Sequence, residues 1–215
     1  MIRSALLYVA LPLALGVASA DVWRLDVPLL TAVLTAQAPW VVLPFLVCLR
    51  VHGLVHGALV GCLFGLLAMT GYFGWEWLAY DAHAALSQME GGRGLFWFAG
   101  ATAAGGVSGA LGAASGHPPA RAPRWLPGFG WAWASIVLLA EAAYQLRQLA
   151  FLDDRTVVGG GALVLVAVAV VLAAVGVRRS GVRLFAVAFV LALVAGSAGF
   201  ALMLWAEHTF AYVPL

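Results

Sequence analysis

The chain has 215 residues, of which 64% are hydrophobic and 9% charged, with a formal net charge of +2 at pH 7. Soluble domains carry roughly a quarter charged residues, so a water-covered globule is excluded, and nothing in this balance implies a nucleic-acid surface. All 11 basic residues are Arg and the chain lacks both Lys and Asn, a skew that points to a GC-rich, bacterial genome.

Seven apolar stretches approach the roughly 17–25 residues that cross a bilayer as a helix, which predicts an all-α polytopic bundle, residues 1–215 forming a single integral membrane domain. The first span is expected over Arg3 to Ala20. Its "MIR", apolar core and "ASA" before Asp21 also resemble a cleavable signal peptide; a retained helix is the expectation, with six spans left if it is removed. The second is expected over Val27 to Leu49, starting at Pro28 and kinked by Pro39 and Pro44, each of which removes a backbone donor. A short outer helix before Pro39, followed by a steep shorter span, is the alternative.

The third span, Gly53 to Gly74, carries Gly53, Gly57, Gly61 and Gly65 on one stripe. Just before and inside it, "HGLVH" spaces His52 and His56 as two ligands of one metal would be. The third ligand is missing and Arg50 would repel a cation, so headgroup or helix-end hydrogen bonding is expected instead. "DAHAALSQMEGG" predicts a short surface helix capped by Asp81 and ended by Gly91 and Gly92. A metal site from Asp81, His83 and Glu90 is the weaker reading.

The fourth span, Gly94 to Ser115, has Gly105 and Gly109 on one stripe and Ser108, Gly112 and Gly116 on its neighbour. Small-residue stripes let helix backbones approach closely in lipid, so the third and fourth spans are expected to touch. "HPPARAPRWLPGFG" then forms a proline-stiffened loop.

The fifth span, Gly128 to Leu149, contains the acid Glu141, with Tyr144, Gln145 and Gln148 following at helical spacing. Glu141 falls about 5 Å beyond the bilayer midplane at about 1.5 Å per residue. An acid near the centre costs roughly 2.5–3.5 kcal/mol on insertion scales, so it must face protein or water. One reading makes it a neutral acid locking helices through Gln145, a backbone carbonyl or Tyr8; another makes Glu141, Tyr144 and Gln145 a solute or proton site in an outward vestibule. Gln37, Thr70 and His208 lie at comparable depth; a partner contact is the third reading. The sixth and seventh spans are expected over Thr156 to Val177 and Arg183 to Glu207. Cys48 and Cys62 are expected to be small buried residues without a disulfide.

Arg in short loops stays cytoplasmic. An inside N-terminus gathers Arg3, Arg50, Arg121, Arg124, Arg178, Arg179 and Arg183 in the cytoplasm, where those in the loops would meet anionic headgroups. The acids Asp21, Asp26, Glu76, Asp81, Glu90, Asp153, Asp154 and Glu207 then collect outside, with only Arg24, Arg93, Arg147 and Arg155 among them. Seven spans end N-in and C-out.

"LALGVASADVWRL", "APWVVLPFLV", "GALVGCLFGLLAMTGYF" and "WAWASIVLLAEAAY" together resemble a family of small actinobacterial integral membrane proteins without assigned activity, over roughly residues 1–150. The resemblance implies a bacterial inner-membrane setting and no catalytic or cofactor residues. A small-solute permease, or the substrate-binding membrane subunit of a larger importer, is the leading functional expectation, with no enzymatic activity and no cofactor. The alternative is a scaffold that docks a partner subunit, or a second copy, through the Gly-rich third and fourth spans.

Overall fold

The structure is a computed structural model that describes residues 6–24, 28–34, 36–80, 93–148 and 155–210. These are helical almost throughout, with no strand among them. A π-helical turn, Leu6–Ala10, leads into α1 (Leu11–Asp21), and a 3-10 turn, Val22–Arg24, follows it. Next come α2 (Pro28–Leu34), α3 (Ala38–Cys48), α4 (Leu54–Ala79), α5 (Arg93–Gly116), α6 (Leu126–Gln148), α7 (Arg155–Ser180) and α8 (Val182–Phe210). The helices α4, α5, α6 and α7 are long and apolar enough to cross a membrane. Tyr8–Asp21 and Ala38–Cys48 are shorter apolar helices, and the Val182–Ala198 part of α8 is apolar as well.

The expected continuous second span is instead two helices. Pro39 has no N–H to return to the carbonyl four residues back, and its ring suits the first turn of a helix, so α3 starts there afresh. Pro44 is accommodated inside α3. The proposed surface helix at Asp81, with His83 and Glu90, lies outside the described residues.

Glycines set the helix spacing. A Cβ built at Gly61 would collide with the Gly105 carbonyl, one at Gly65 with Ala101, and one at Gly57 would lie 2.6 Å from the Gly109 oxygen. In return, Gly105 and Gly109 pack on the backbones of Gly61 and Gly57. The two stripes therefore face each other along α4 and α5. The second stripe of α5 serves a different neighbour: Gly112 packs on the Phe45 carbonyl and Gly116 on that of Leu49, both from α3 or its cap. α4 also uses a second side, where Gly71 meets Leu13 of α1 and Gly16 of α1 meets Ala68 and Tyr72. Gly53 stands apart from the stripe it heads in sequence. It is exposed, and its φ of 89° turns the chain from α3 into α4. Gly181, at φ 81°, makes the equally tight turn between α7 and α8.

α6 is the hub. Trp131, Ala134, Ile136, Leu138 and Ala142 are buried in one cluster with Val42 and Phe45 of α3, Leu165 and Ala169 of α7, and Phe185 and Ala188 of α8. A smaller cluster joins Leu15, Val47, Phe64 and Ala68. Leu59, Leu63 and Leu66 on α4, Val170 and Val171 on α7, and Val187, Val190 and Val194 on α8 are exposed. Outward apolar faces of this extent suit an acyl-chain solvent rather than water.

Candidate functional site

The interruption between α2 and α3 frees backbone carbonyls at the end of one helix and backbone N–H groups at the start of the next. In an apolar slab such groups must find protein partners, and here neighbouring helices supply them. Ser19 of α1 donates its hydroxyl to the Leu34 carbonyl at 3.1 Å. Gln145 of α6 donates Nε2 to the Ala32 carbonyl at 2.8 Å. On the other side, the Gln37 N–H donates to Glu141 Oε2 at 3.2 Å. Two side chains one turn apart on α6 thus hold the two sides of the break, Gln145 on α2 and Glu141 at the entrance of α3. A carboxylate at a helix N-terminus is also favoured by the helix dipole. Removing the Ser19 hydroxyl, in Ser19→Ala, leaves a carbonyl unpaired; a loss of about 1 kcal/mol is expected, read from unfolding in detergent.

The third wall is α7. A Cβ at Gly161 would lie 2.6 Å from the Ala32 Cβ and 2.8 Å from Gln145 Oε1, so this glycine lets α2, α6 and α7 meet around the amide. Gln145 is only 7% exposed. Its Oε1 has no hydrogen-bond partner among the described residues.

Tyr144 does not join this arrangement. It is 56% exposed, whereas Gln145 is buried and Glu141 is half-buried between them. With about 3.6 residues per turn, the boundary between the packed and outer faces of α6 runs along Glu141. Of the three side chains expected to line one vestibule, Gln145 is buried at the helix interface, Glu141 is half-buried and Tyr144 is exposed. Tyr8 belongs to the small cluster around Phe64, and the partner Glu141 finds is a backbone donor. Thr70 is exposed and donates to the Leu66 carbonyl of its own helix. The side chains of Gln148 and His208 lie outside the described residues.

His52 stacks on His117 of the α5–α6 loop, ring centroids 3.7 Å apart at 20°, rather than pairing with His56. Among the described residues no group of three or more His, Cys, Asp and Glu side chains is placed to hold a metal. Cys48 and Cys62 are free thiols, Cys48 donating to the Gly57 carbonyl at 3.5 Å.

One polar cluster escaped the sequence reading because its members are far apart in the chain. The Tyr80 hydroxyl donates to the Asp21 carboxylate, joining the ends of α4 and α1, and the Arg24 guanidinium sits 3.5 Å above the Tyr80 ring. The hydrogen bond to Asp21 holds the Tyr80 phenol above its ordinary range. Ser19, Ala32 and Gly161 were missed as well. The only signal for them was Pro39, which implies a gap that something must cap.

No family model, no curated protein and no solved structure matches the chain.

Proposed function

We propose that this chain is a multi-pass bacterial inner-membrane protein of the resembled actinobacterial family, whose broken second span is a working site. The activity we assign is that of a small-solute permease or the substrate-binding membrane subunit of a larger importer. One observation carries this reading: the orphaned backbone of α2–α3 is held by an intramembrane acid and an amide. Discontinuous helices near mid-membrane are where transporters bind solutes and coupling ions, and an acid at such depth is expensive unless it works.

In the proposed topology α1, α2–α3, α4, α5, α6, α7 and α8 make seven crossings, N-terminus in the cytoplasm. The close seating of Gly16 on Ala68 and Tyr72 supports α1 as a permanent member. A cysteine introduced at Asp153 is expected to react with an impermeant thiol reagent in intact cells, and one at Arg178 only after permeabilisation. The reverse pattern would overturn the orientation.

Access to the break tests the activity. Gln37 is exposed and Leu138 buried, so Gln37→Cys is expected to react with a small polar thiol reagent from outside and Leu138→Cys not to. A folded but unreactive Gln37→Cys protein would mean lipid rather than water at the break, and the permease reading would fall. The scaffold alternative loses support because the glycine faces of α4 and α5 are spent on each other.

A further inference from the structure

We infer that the Glu141–Gln145 pair is a binding site for a single proton, held on the carboxyl of Glu141 and received by the side-chain oxygen of Gln145. This rests on reading the α2–α3 break as the working site and names its ion. The amide can be oriented only one way: its Nε2 donates to the Ala32 carbonyl at 2.8 Å, because a carbonyl oxygen placed there would meet another acceptor. Oε1 is therefore an acceptor, buried with its residue 7% exposed and without a donor among the described residues. A buried acceptor left unpaired is costly, because it has lost its water without gaining a donor. What it lacks is a hydrogen.

Glu141 lies one turn before it on α6, and among the described residues its Oε2 alone is engaged, by the Gln37 N–H at 3.2 Å. A proton arriving from water adds to the free carboxylate oxygen. One O–H bond forms there, one breaks on the donor hydronium, and the new hydroxyl donates to Gln145 Oε1. Oε2 keeps accepting from Gln37. The neutral pair then uses every polar atom, whereas the ionised pair sets a negative oxygen beside an unpaired acceptor.

Among the described side chains, those of the neighbouring helices offer Glu141 no countercharge. α2 has no titratable residue, α3 has only Cys48 at its far end, and α7 has none from Thr156 to Val177. On α6 itself Tyr144 and Arg147 point outward. The remaining charged or titratable residues at that end of the helices packed on α6, Arg93, Arg155, Glu207 and His208, have side chains outside the described residues. A metal ion fits less well. Hard cations such as Ca²⁺ collect about 6–8 oxygens, and the Ala32 and Leu34 carbonyls already accept hydrogen bonds.

The test is infrared difference spectroscopy of the purified full-length protein across pH, following the carboxylic-acid C=O band. A titrating band is expected in the wild type and is expected to vanish in Glu141→Gln. Gln145→Met keeps the length and removes the acceptor; the midpoint should fall by about one pH unit or more. Gln37 has φ −75°, compatible with proline, so Gln37→Pro deletes the N–H that supports the ionised form, and the midpoint should rise. Absence of a band assigned to Glu141 at every pH where the protein is folded overturns the proposal. So does a band that Na⁺ or K⁺ abolishes at constant pH, which would make a metal ion the occupant, or a midpoint unmoved in folded Gln145→Met. If Gln145→Met does not fold, the wild-type band and the Gln37→Pro shift decide. A titrating band with an unreactive Gln37→Cys protein removes the permease reading and leaves the proton site; a reactive Gln37→Cys protein without the band does the reverse.

Discussion

Gly61→Leu is expected to give the largest loss of stability of any single substitution considered for this chain. The Cβ alone would overlap the Gly105 carbonyl and lie 2.7 Å from its carbon, and the obstacle is helix backbone, which cannot rotate aside as a side chain can. α4 and α5 would have to separate along their shared length. In lipid that contact has no hydrophobic force behind it, since acyl chains solvate apolar helices as well as a neighbour does, and close van der Waals packing supplies the attraction. Overpacking a core costs about 1–3 kcal/mol, and a clash against backbone belongs at or beyond the upper end. Gly57→Leu should behave alike. Gly74→Leu and Gly100→Leu are controls on the same two helices, because a Cβ at either position meets nothing within 4 Å. Unfolding in detergent followed by circular dichroism reads the difference; wild-type behaviour of Gly61→Leu would refute close packing of α4 on α5.

The second large effect is the contrast between two replacements of Glu141. Glu141→Ala removes the acceptor of the Gln37 N–H and strands a donor at the break, for a loss of about 1–3 kcal/mol. Glu141→Gln restores the pattern of the neutral acid: its Oε1 accepts from Gln37 and its Nε2 is available to the unpaired oxygen of Gln145. Stability close to the wild type is therefore expected, with uptake of solute or proton into proteoliposomes abolished because no proton can be exchanged. If Glu141→Gln retains full uptake, the carboxyl does nothing that an amide cannot, and Glu141 is a structural acid. Equal destabilisation by both replacements would instead show that the carboxylate charge itself holds α3.

The glycine stripes of α4 and α5 were legible because helical periodicity is a local property: spacing by four residues places Gly57, Gly61 and Gly65 on one line in any α-helix. The gap near Pro39 was legible as an alternative to a kink, since a missing N–H is written in the residue type. Choice of neighbour was not. Nothing in the periodicity of α5 tells that Gly105 and Gly109 face α4 while Gly112 and Gly116 face α3, for either stripe fits any small-residue surface. Likewise Gly16 and Gly71 read as ordinary residues of apolar spans until α1 is laid against α4.

Glu141 shows the same division at the scale of one side chain. Sequence alone determined the apolar solvent this chain is built for, the all-helical class, and the cost of an acid so far along α6 that it must be partnered. Those follow from residue type, length and the energetics of apolar media, which act locally. Only the tertiary structure decided that the partner is the Gln37 N–H, 104 positions away in the chain, that Gln145 turns inward onto Ala32, and that Tyr144 turns out. A hydrogen bond is made by groups within about 3 Å, and which groups come that close is decided by how the helices pack, Gly161 admitting α2 against the face of α6 that carries the amide.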